Sequence, residues 1–249
     1  VENFMAGAVP PKPGLYGMLY SAYYEADTKT DANGDALPIP QFSASAKVIA
    51  PRFAYVSNMD VWGGDVIFHT IIPMIELNGT GVTPGGYRDD TDLSVGDITI
   101  GPGIATHYSK NLHTVLAANL ILPTGSWDAA NMVNVGKNHR AYEFLYIASW
   151  VNPVGFNGDA RIGYIFNSEN KDTNYQSGDE FHIDYAAGWG LGNGWTLGVS
   201  GYYLQQVTDD KLNGAVVADK RTHGFSIGPS VKYAHGKKWY VTAKYEKEV

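Results

Sequence analysis

Glu180, His182 and Asp184 alternate along one segment, and Glu143 and Arg161 sit in comparable alternating segments upstream. Carboxylate, imidazole and guanidinium together could move protons or hold a metal ion. The spacing argues against a metal, because strand residues i and i+2 share a face about 6.5–7 Å apart and one strand rarely gives two ligands to one ion. We read these groups as a ladder of hydrogen-bonded charges on a wall, with no catalytic residue, no metal and no cofactor. A Ser–His–acid hydrolase needs serine and histidine at matching heights on one face, and no such pair stands out. The stretch GWGLGNG lacks the spacing and the following helix of a dinucleotide fingerprint. Asp31-x-Asn33-x-Asp35 resembles the start of a calcium loop, but Ala36 and Phe42 stand where glycine and glutamate are needed. It reads as an ordinary polar loop.

The elements that carry these residues are strands. In EFHIDYAAGWGL, Phe181, Ile183, Tyr185, Ala187, Trp189 and Leu191 oppose Glu180, His182, Asp184, Ala186, Gly188 and Gly190. A three-residue turn, Gly192–Asn193–Gly194, pairs Leu191 with Trp195, Trp189 with Leu197, Ala187 with Val199, Tyr185 with Gly201 and Ile183 with Tyr203. The same division recurs in AYEFLYIASW, ARIGYIFN, FSIGPSVKY, WYVTAKYEK and GDITIGPGIATHY. In each, one face is apolar and aromatic. The other mixes charge with glycine, alanine and serine.

Composition limits what such a chain can be. Only 17% of its 249 residues are charged, against roughly 25% in soluble domains. Aromatic residues reach 13%, with 17 tyrosines, and there are 29 glycines. The formal charge of −7, with lysine and arginine scattered, gives no nucleic-acid partner. The absence of cysteine excludes disulfides, a thiol enzyme and a cysteine-ligated zinc. The chain opens on Val1, which we read as the mark of a removed signal peptide. No apolar run reaches the roughly 18 residues of a membrane-crossing helix, while runs near ten match a membrane strand.

Eleven β-rich segments span about 14–25, 41–56, 64–77, 94–108, 111–123, 138–150, 156–167, 179–191, 195–206, 222–235 and 237–247. Their connections alternate long and short without a break. An all-β, up-and-down antiparallel transmembrane barrel has this pattern, with long loops outside the bacterial outer membrane and short turns in the periplasm. Such barrels have an even strand count, so twelve strands are expected, eleven of them visible here. Residues 1–13 form a short periplasmic segment, too short for a plug domain but able to reach across the mouth, and 14–249 the barrel.

The apolar face then meets lipid and the polar face lines a lumen. Parity assigns Lys47, Asp97, His107, Asn119, Glu143, Arg161, Glu180, His182, Asp184, Tyr202 and Lys232 to the lining. Pro51, Pro73 and Pro102 fall inside strands, where proline removes a ladder donor. They read first as bulges that bend the wall, and are the candidates for a lateral opening from lumen to lipid.

Three stretches go beyond architecture: LPTGSWDAANMVNVGKNHRAYEF, FNSENKDTNYQSGDEFHIDYAAGWGLGNGWTLGVSGYYLQQVTDD and GPSVKYAHGKKWYVTAKYEKEV. Through them the chain, mainly from about residue 96 onward, resembles the outer-membrane proteins grouped under the MetA pathway of phenol degradation. The resemblance implies a twelve-stranded monomeric barrel, without an internal plug, for passive uptake of hydrophobic or bulky aromatic small molecules. It supplies no catalytic residue. Partners on this reading are small-molecule permeants, outer-membrane lipid and lipopolysaccharide. The alternatives are an outer-membrane enzyme or adhesin on the same barrel, or a soluble ligand-binding β-barrel, which the loop asymmetry disfavours.

Overall fold

The computed structural model describes residues 3–31, 34–236 and 238–249; Asn33 of the calcium-like stretch lies outside them. No helix occurs among the described residues. In chain order the strands are β1 (Gly14–Ala26), β2 (Ser43–Val61), β3 (Gly64–Ile71), β4 (Met74–Thr83), β5 (Gly86–Val95), β6 (Thr99–His107), β7 (Leu112–Ile121), β8 (Ala141–Trp150) and β9 (Val154–Asn167). There follow β10 (Tyr175–Gln176), β11 (Glu180–Leu191), β12 (Trp195–Gln206), β13 (Asp210–Leu212), β14 (Ala215–Val217), β15 (His223–His235), β16 (Trp239–Lys244) and β17 (Lys247–Glu248).

Among the described residues fourteen strands form one sheet, and β10, β13 and β14 a small second one. In the large sheet β3 and β4 continue one another, as do β5 with β6 and β16 with β17, which leaves eleven staves. Each pairs antiparallel with the next in chain order, as an up-and-down meander requires. No ladder joins β1 to β16 or β17 among the described residues. Their side chains do meet, Tyr24 Oη donating to Glu248 Oε2 at 3.4 Å, so the sheet curls back toward its own beginning.

Burial is inverted relative to a soluble domain. Ser149 and Ser200 are 0% exposed and Glu143 6%, whereas Leu19 is 70% and Trp189 59% exposed. Alternation alone cannot create this, because it only separates two faces. The concave side took the polar set and the convex side the apolar one, the arrangement of a strand wall in lipid. Exposed Trp150, Trp189, Trp195 and Trp239 stand by the short turns, and Tyr142, Phe166, Tyr203 and Phe225 by the long loops. These make two aromatic levels on the outer face.

The hairpin of β11 and β12 has the expected register, including Trp189 with Leu197 and Ile183 with Tyr203, and positive φ at Gly192 and Gly194. Residues 78–93 depart from expectation. They form no long loop: β4 and β5 extend as a hairpin closed at 84–85, paired from Met74–Val95 to Thr83–Gly86. The glycines that give this stretch a loop-like composition lie on its inner face, where Gly79 faces Val133 and Gly81 faces Ile39 and Met132. A neighbouring loop fills the space a side chain would take.

The N-terminal segment turns inward. Phe4 is 2% exposed. The Ala6 amide donates to Asp159 Oδ1 at 3.0 Å, the Gly7 amide to Ser149 Oγ at 2.8 Å, and Ser230 Oγ donates to Asn3 Oδ1 at 2.8 Å. Ala6, Val9 and Tyr16 pack on an inner apolar patch of Val56, Ile67, Ala105, Val115, Ala117, Leu145 and Ile147. A few residues thus touch staves from β2 round to β15. The run FMAGAV is apolar enough to be drawn inside, the one signal of this placement in the sequence.

Candidate functional site

The inner wall gathers its polar groups on β3, β7, β8, β9 and β11. Registers place Asn119 opposite Glu143 and Arg161 opposite Asp184. Arg161 donates Nη2 to Glu143 Oε1 and Nη1 to Asp184 Oδ2, each at 2.8 Å. Asn119 Nδ2 donates to Glu143 Oε2 at 2.8 Å. His182 Nε2 lies 3.0 Å from Glu143 Oε1, and His69 Nε2 lies 2.9 Å from Asn119 Oδ1. A guanidinium fork between two carboxylates gives strong, directional, charge-assisted bonds.

Two glycines make this chain possible. His182 and Glu143 sit on β11 and β8, with β9 between them. A Cβ at Gly163 of β9 would collide with the His182 ring. His69 and Asn119 sit on β3 and β7, with β6 between, and a Cβ at Gly101 would collide with the Asn119 amide. Each glycine clears a path over its strand. The network therefore spans six neighbouring staves, five of which contribute side chains, where adjacent pairs alone would give isolated contacts.

The other expected lining residues fall at different heights. His107 pairs with His113 near a short turn, Nδ1 to Nδ1 2.7 Å apart. Asp97 sits at the loop end and accepts from the Gly125 and Lys137 amides, each at 2.9 Å. With Asp90 and Asp92, which accept from the amides of Met132, Val133 and Val135, it holds the 122–140 loop against the inner side of the β4–β5 hairpin. Glu180 is on the inner row opposite Gln206. Tyr202 donates to Glu248. Lys232 is buried, its Nζ 5.9 Å from the Phe4 ring centroid. Lys47 is a correction. On β2 the inner row is Ala50, Ala54 and Val56, so odd-numbered Lys47 lies outside with Ile49 and Phe53, bonded to Glu76 at 2.8 Å.

The prolines behave differently from one another. Through Pro51 and Pro73 the β2 register runs on unchanged, from Arg52–Ile71 to Ile49–Met74. The Ile72 amide bonds the Pro51 carbonyl and the Gly96 amide the Pro73 carbonyl. Pro102 pairs with Phe68 on one side. On its other side the β6–β7 ladder lapses between Ile100–Leu120 and Gly103–Ala117. His69, Asp159, Ser149 and the N-terminal segment were not among the expected lining residues. His69 lies in a mainly apolar run, VIFHTII, where its parity places it on the inner row.

At the long-loop end, the small sheet is tied by Asp210, which accepts from Tyr175, from the Gly178 amide and from Gln206. Burial, and then that bond, push the Tyr175 phenol up to about 12. Arg221 holds the Asp209 carboxyl below its ordinary range through a 2.7 Å bond. Among the described residues no three His, Asp or Glu side chains form a group that could hold a metal ion.

The sequence profile of the family described as "Putative MetA-pathway of phenol degradation" matches residues 26–249. No curated protein matches the chain. A crystal structure of an outer membrane channel from Pseudomonas putida F1 is similar over 97% of this chain and 90% of that one, at TM-score 0.79 and 15% identity. The two have the same barrel fold.

Proposed function

The chain belongs to the family described as "Putative MetA-pathway of phenol degradation", and on that premise we propose that it is an outer membrane channel for passive uptake of hydrophobic or bulky aromatic small molecules. The observation that carries the reading is the inverted burial, with serine, asparagine and charge on the concave face and leucine and aromatic rings on the convex one. Such a wall keeps a polar interior in an apolar surround. The similarity to an outer membrane channel supports the same location. In this reading the protein is a monomer among lipid and lipopolysaccharide. The long loops, the small sheet among them, face outward, and the short turns and N-terminal segment face the periplasm.

A channel fits the inner wall better than an enzyme or adhesin. Glu143, Arg161, Asp184 and His182 are engaged with one another, which suits a scaffold around a lumen. Small residues between them leave surface for amphipathic solutes to slide along. The test is uptake into liposomes carrying the full protein, over a panel of aromatic compounds and sugars. Aromatic compounds should enter faster than sugars of similar size. Equal rates for both classes, or none above empty vesicles, would overturn the reading.

A further inference from the structure

His107 and His113 form a pair that stands apart from the charge network. They end the β6–β7 ladder on its inner rows, directly opposite each other. In the turn beyond, the Tyr108 amide bonds the Leu112 carbonyl. The next pair inward, His107 with His113, is therefore of the non-hydrogen-bonded kind, whose Cα atoms approach to about 4.5 Å and whose side chains stand closest. The rings meet edge to face, with centroids 4.9 Å apart and planes at 75°, and Nδ1 lies 2.7 Å from Nδ1. Between two neutral rings that contact needs one Nδ1 to donate and the other to accept. His107 Nε2 is buried with no hydrogen-bond partner among the described residues, so nothing there fixes which nitrogen of the ring carries the proton. With the proton on Nε2, both Nδ1 atoms present a lone pair.

We propose that His107 and His113 chelate a divalent transition-metal ion of tetragonal preference, copper(II) first, at the short-turn mouth of the inner wall. Donor type and spacing carry the proposal. Imidazole suits copper, nickel and zinc, whereas magnesium and calcium take oxygen. Two nitrogens bound to one ion at about 2.0 Å stand about 2.8 Å apart at a right angle and about 3.3 Å apart at the tetrahedral angle. The 2.7 Å separation matches the right angle, which selects Cu²⁺ or Ni²⁺ over Zn²⁺, and copper binds imidazole tightest of the three. The χ2 torsion of histidine is soft, so a tilt of each ring turns the two lone pairs from facing one another to a common point. Two neighbouring strands give one ligand each here, unlike Glu180, His182 and Asp184, whose spacing along one strand is too wide for one ion. The rings are half-buried and Tyr108, Ser109 and Lys110 beyond them are exposed, so water can take the remaining positions. An ion so held ties β6 to β7 on the short-turn side of the lapse between Ile100–Leu120 and Gly103–Ala117. The site is independent of what the lumen carries.

The experiment titrates copper(II) chloride into the full protein in detergent micelles at neutral pH, in a buffer that does not bind metal, with nickel(II), zinc(II) and magnesium chlorides in parallel. Calorimetry reads affinity, and electron paramagnetic resonance reads the copper ligands. The wild type should take one Cu²⁺ per chain, Ni²⁺ and Zn²⁺ more weakly and Mg²⁺ not at all. Its copper spectrum should show two equatorial imidazole nitrogens, and copper should raise the urea concentration at which the barrel unfolds. His107→Gln and His113→Gln should each lower copper affinity at least several-fold and remove the two-nitrogen spectrum. His235→Gln, beside another short turn, should change neither. A wild type that takes up no copper overturns the site, as does a two-nitrogen spectrum that persists in both glutamine variants once heat-modifiable migration shows them folded. If those variants fail to fold, the wild-type spectrum decides, because one imidazole nitrogen or none rejects the chelate. Zinc bound more tightly than copper rejects the right-angle geometry.

Discussion

Replacing Arg161 by Met should destabilise the wall by about 3 kcal/mol, and the structure says why the value is not smaller. Exposed ion pairs contribute only about 0–1 kcal/mol, whereas removing one partner of a buried pair costs about 3–5 kcal/mol. The side chains of Arg161, Glu143 and Asp184 are 18%, 7% and 12% exposed, which places them with the buried class. Glu143 would keep Asn119 and His182, so the loss falls at the lower end of that range. Asp184 would lose the guanidinium that now neutralises it. Removing all three charges in R161M/E143Q/D184N should restore stability to within about 1 kcal/mol, because the cost is stranded charge more than lost bonds. Arg161→Lys should fall between, since an ammonium lacks the fork that reaches both acids. The assay is urea unfolding in lipid vesicles, followed by tryptophan fluorescence and by heat-modifiable gel migration. A Met variant within about 1 kcal/mol of the wild type, or a triple variant no better than the single, would mean that water in the lumen screens these charges and that they do not hold the wall.

Val199→Arg on the convex face should cost about 2–4 kcal/mol in the same assay, the penalty for a cation near the bilayer midplane; a neutral result would remove the lipid from that face. Cysteines placed at 182 and 184 should react with a water-soluble thiol reagent while one at 183 should not, and the opposite pattern would reverse the two faces. Gly163→Ala sets a methyl against the His182 ring. The loss of about 1–3 kcal/mol expected for a displaced polar group should be relieved by adding His182→Ala, and an additive pair would refute the path over β9. Tyr175 is held protonated up to about 12, so its bond to Asp210 is intact below its ordinary value near 10 and is lost as pH rises through about 12. Tyr175→Phe should delete one late step from the ultraviolet tyrosinate titration, and an unchanged curve would contradict the buried bond.

Much of the wall was legible because its signals are local. Strict alternation from Glu180 to Leu191, with a Gly-Asn-Gly turn, determines a register, and the register determines which groups face each other. What was not legible depends on partners distant in sequence. Gly79 and Gly81 look like loop residues until Val133 and Met132, carried in by another loop, fill the space above them. Lys47 shares its row with Ile49, Phe53 and Tyr55, so the period of the strand already places it outside, and only its charge suggested the lumen. The N-terminal segment has no period to read, and only the curved wall gives FMAGAV a place to hide.

Glycine on the inner rows explains more than open space. At a wall position a glycine reads as a vacancy, yet Gly163 is covered by the His182 ring of the next stave and Gly101 by the Asn119 amide that meets His69. A strand-by-strand reading pairs neighbours and so splits the polar set into separate contacts. The glycines join them into one network from His69 to Asp184, and beside Gly101 the β6–β7 ladder lapses at a proline without a donor. Strength and weakness of this barrel therefore share a cause, and alanine at the two positions should separate them. Gly163→Ala should break a contact in an otherwise continuous ladder, whereas Gly101→Ala should push Asn119 away from His69 where the ladder is already interrupted, and urea unfolding should separate the two losses.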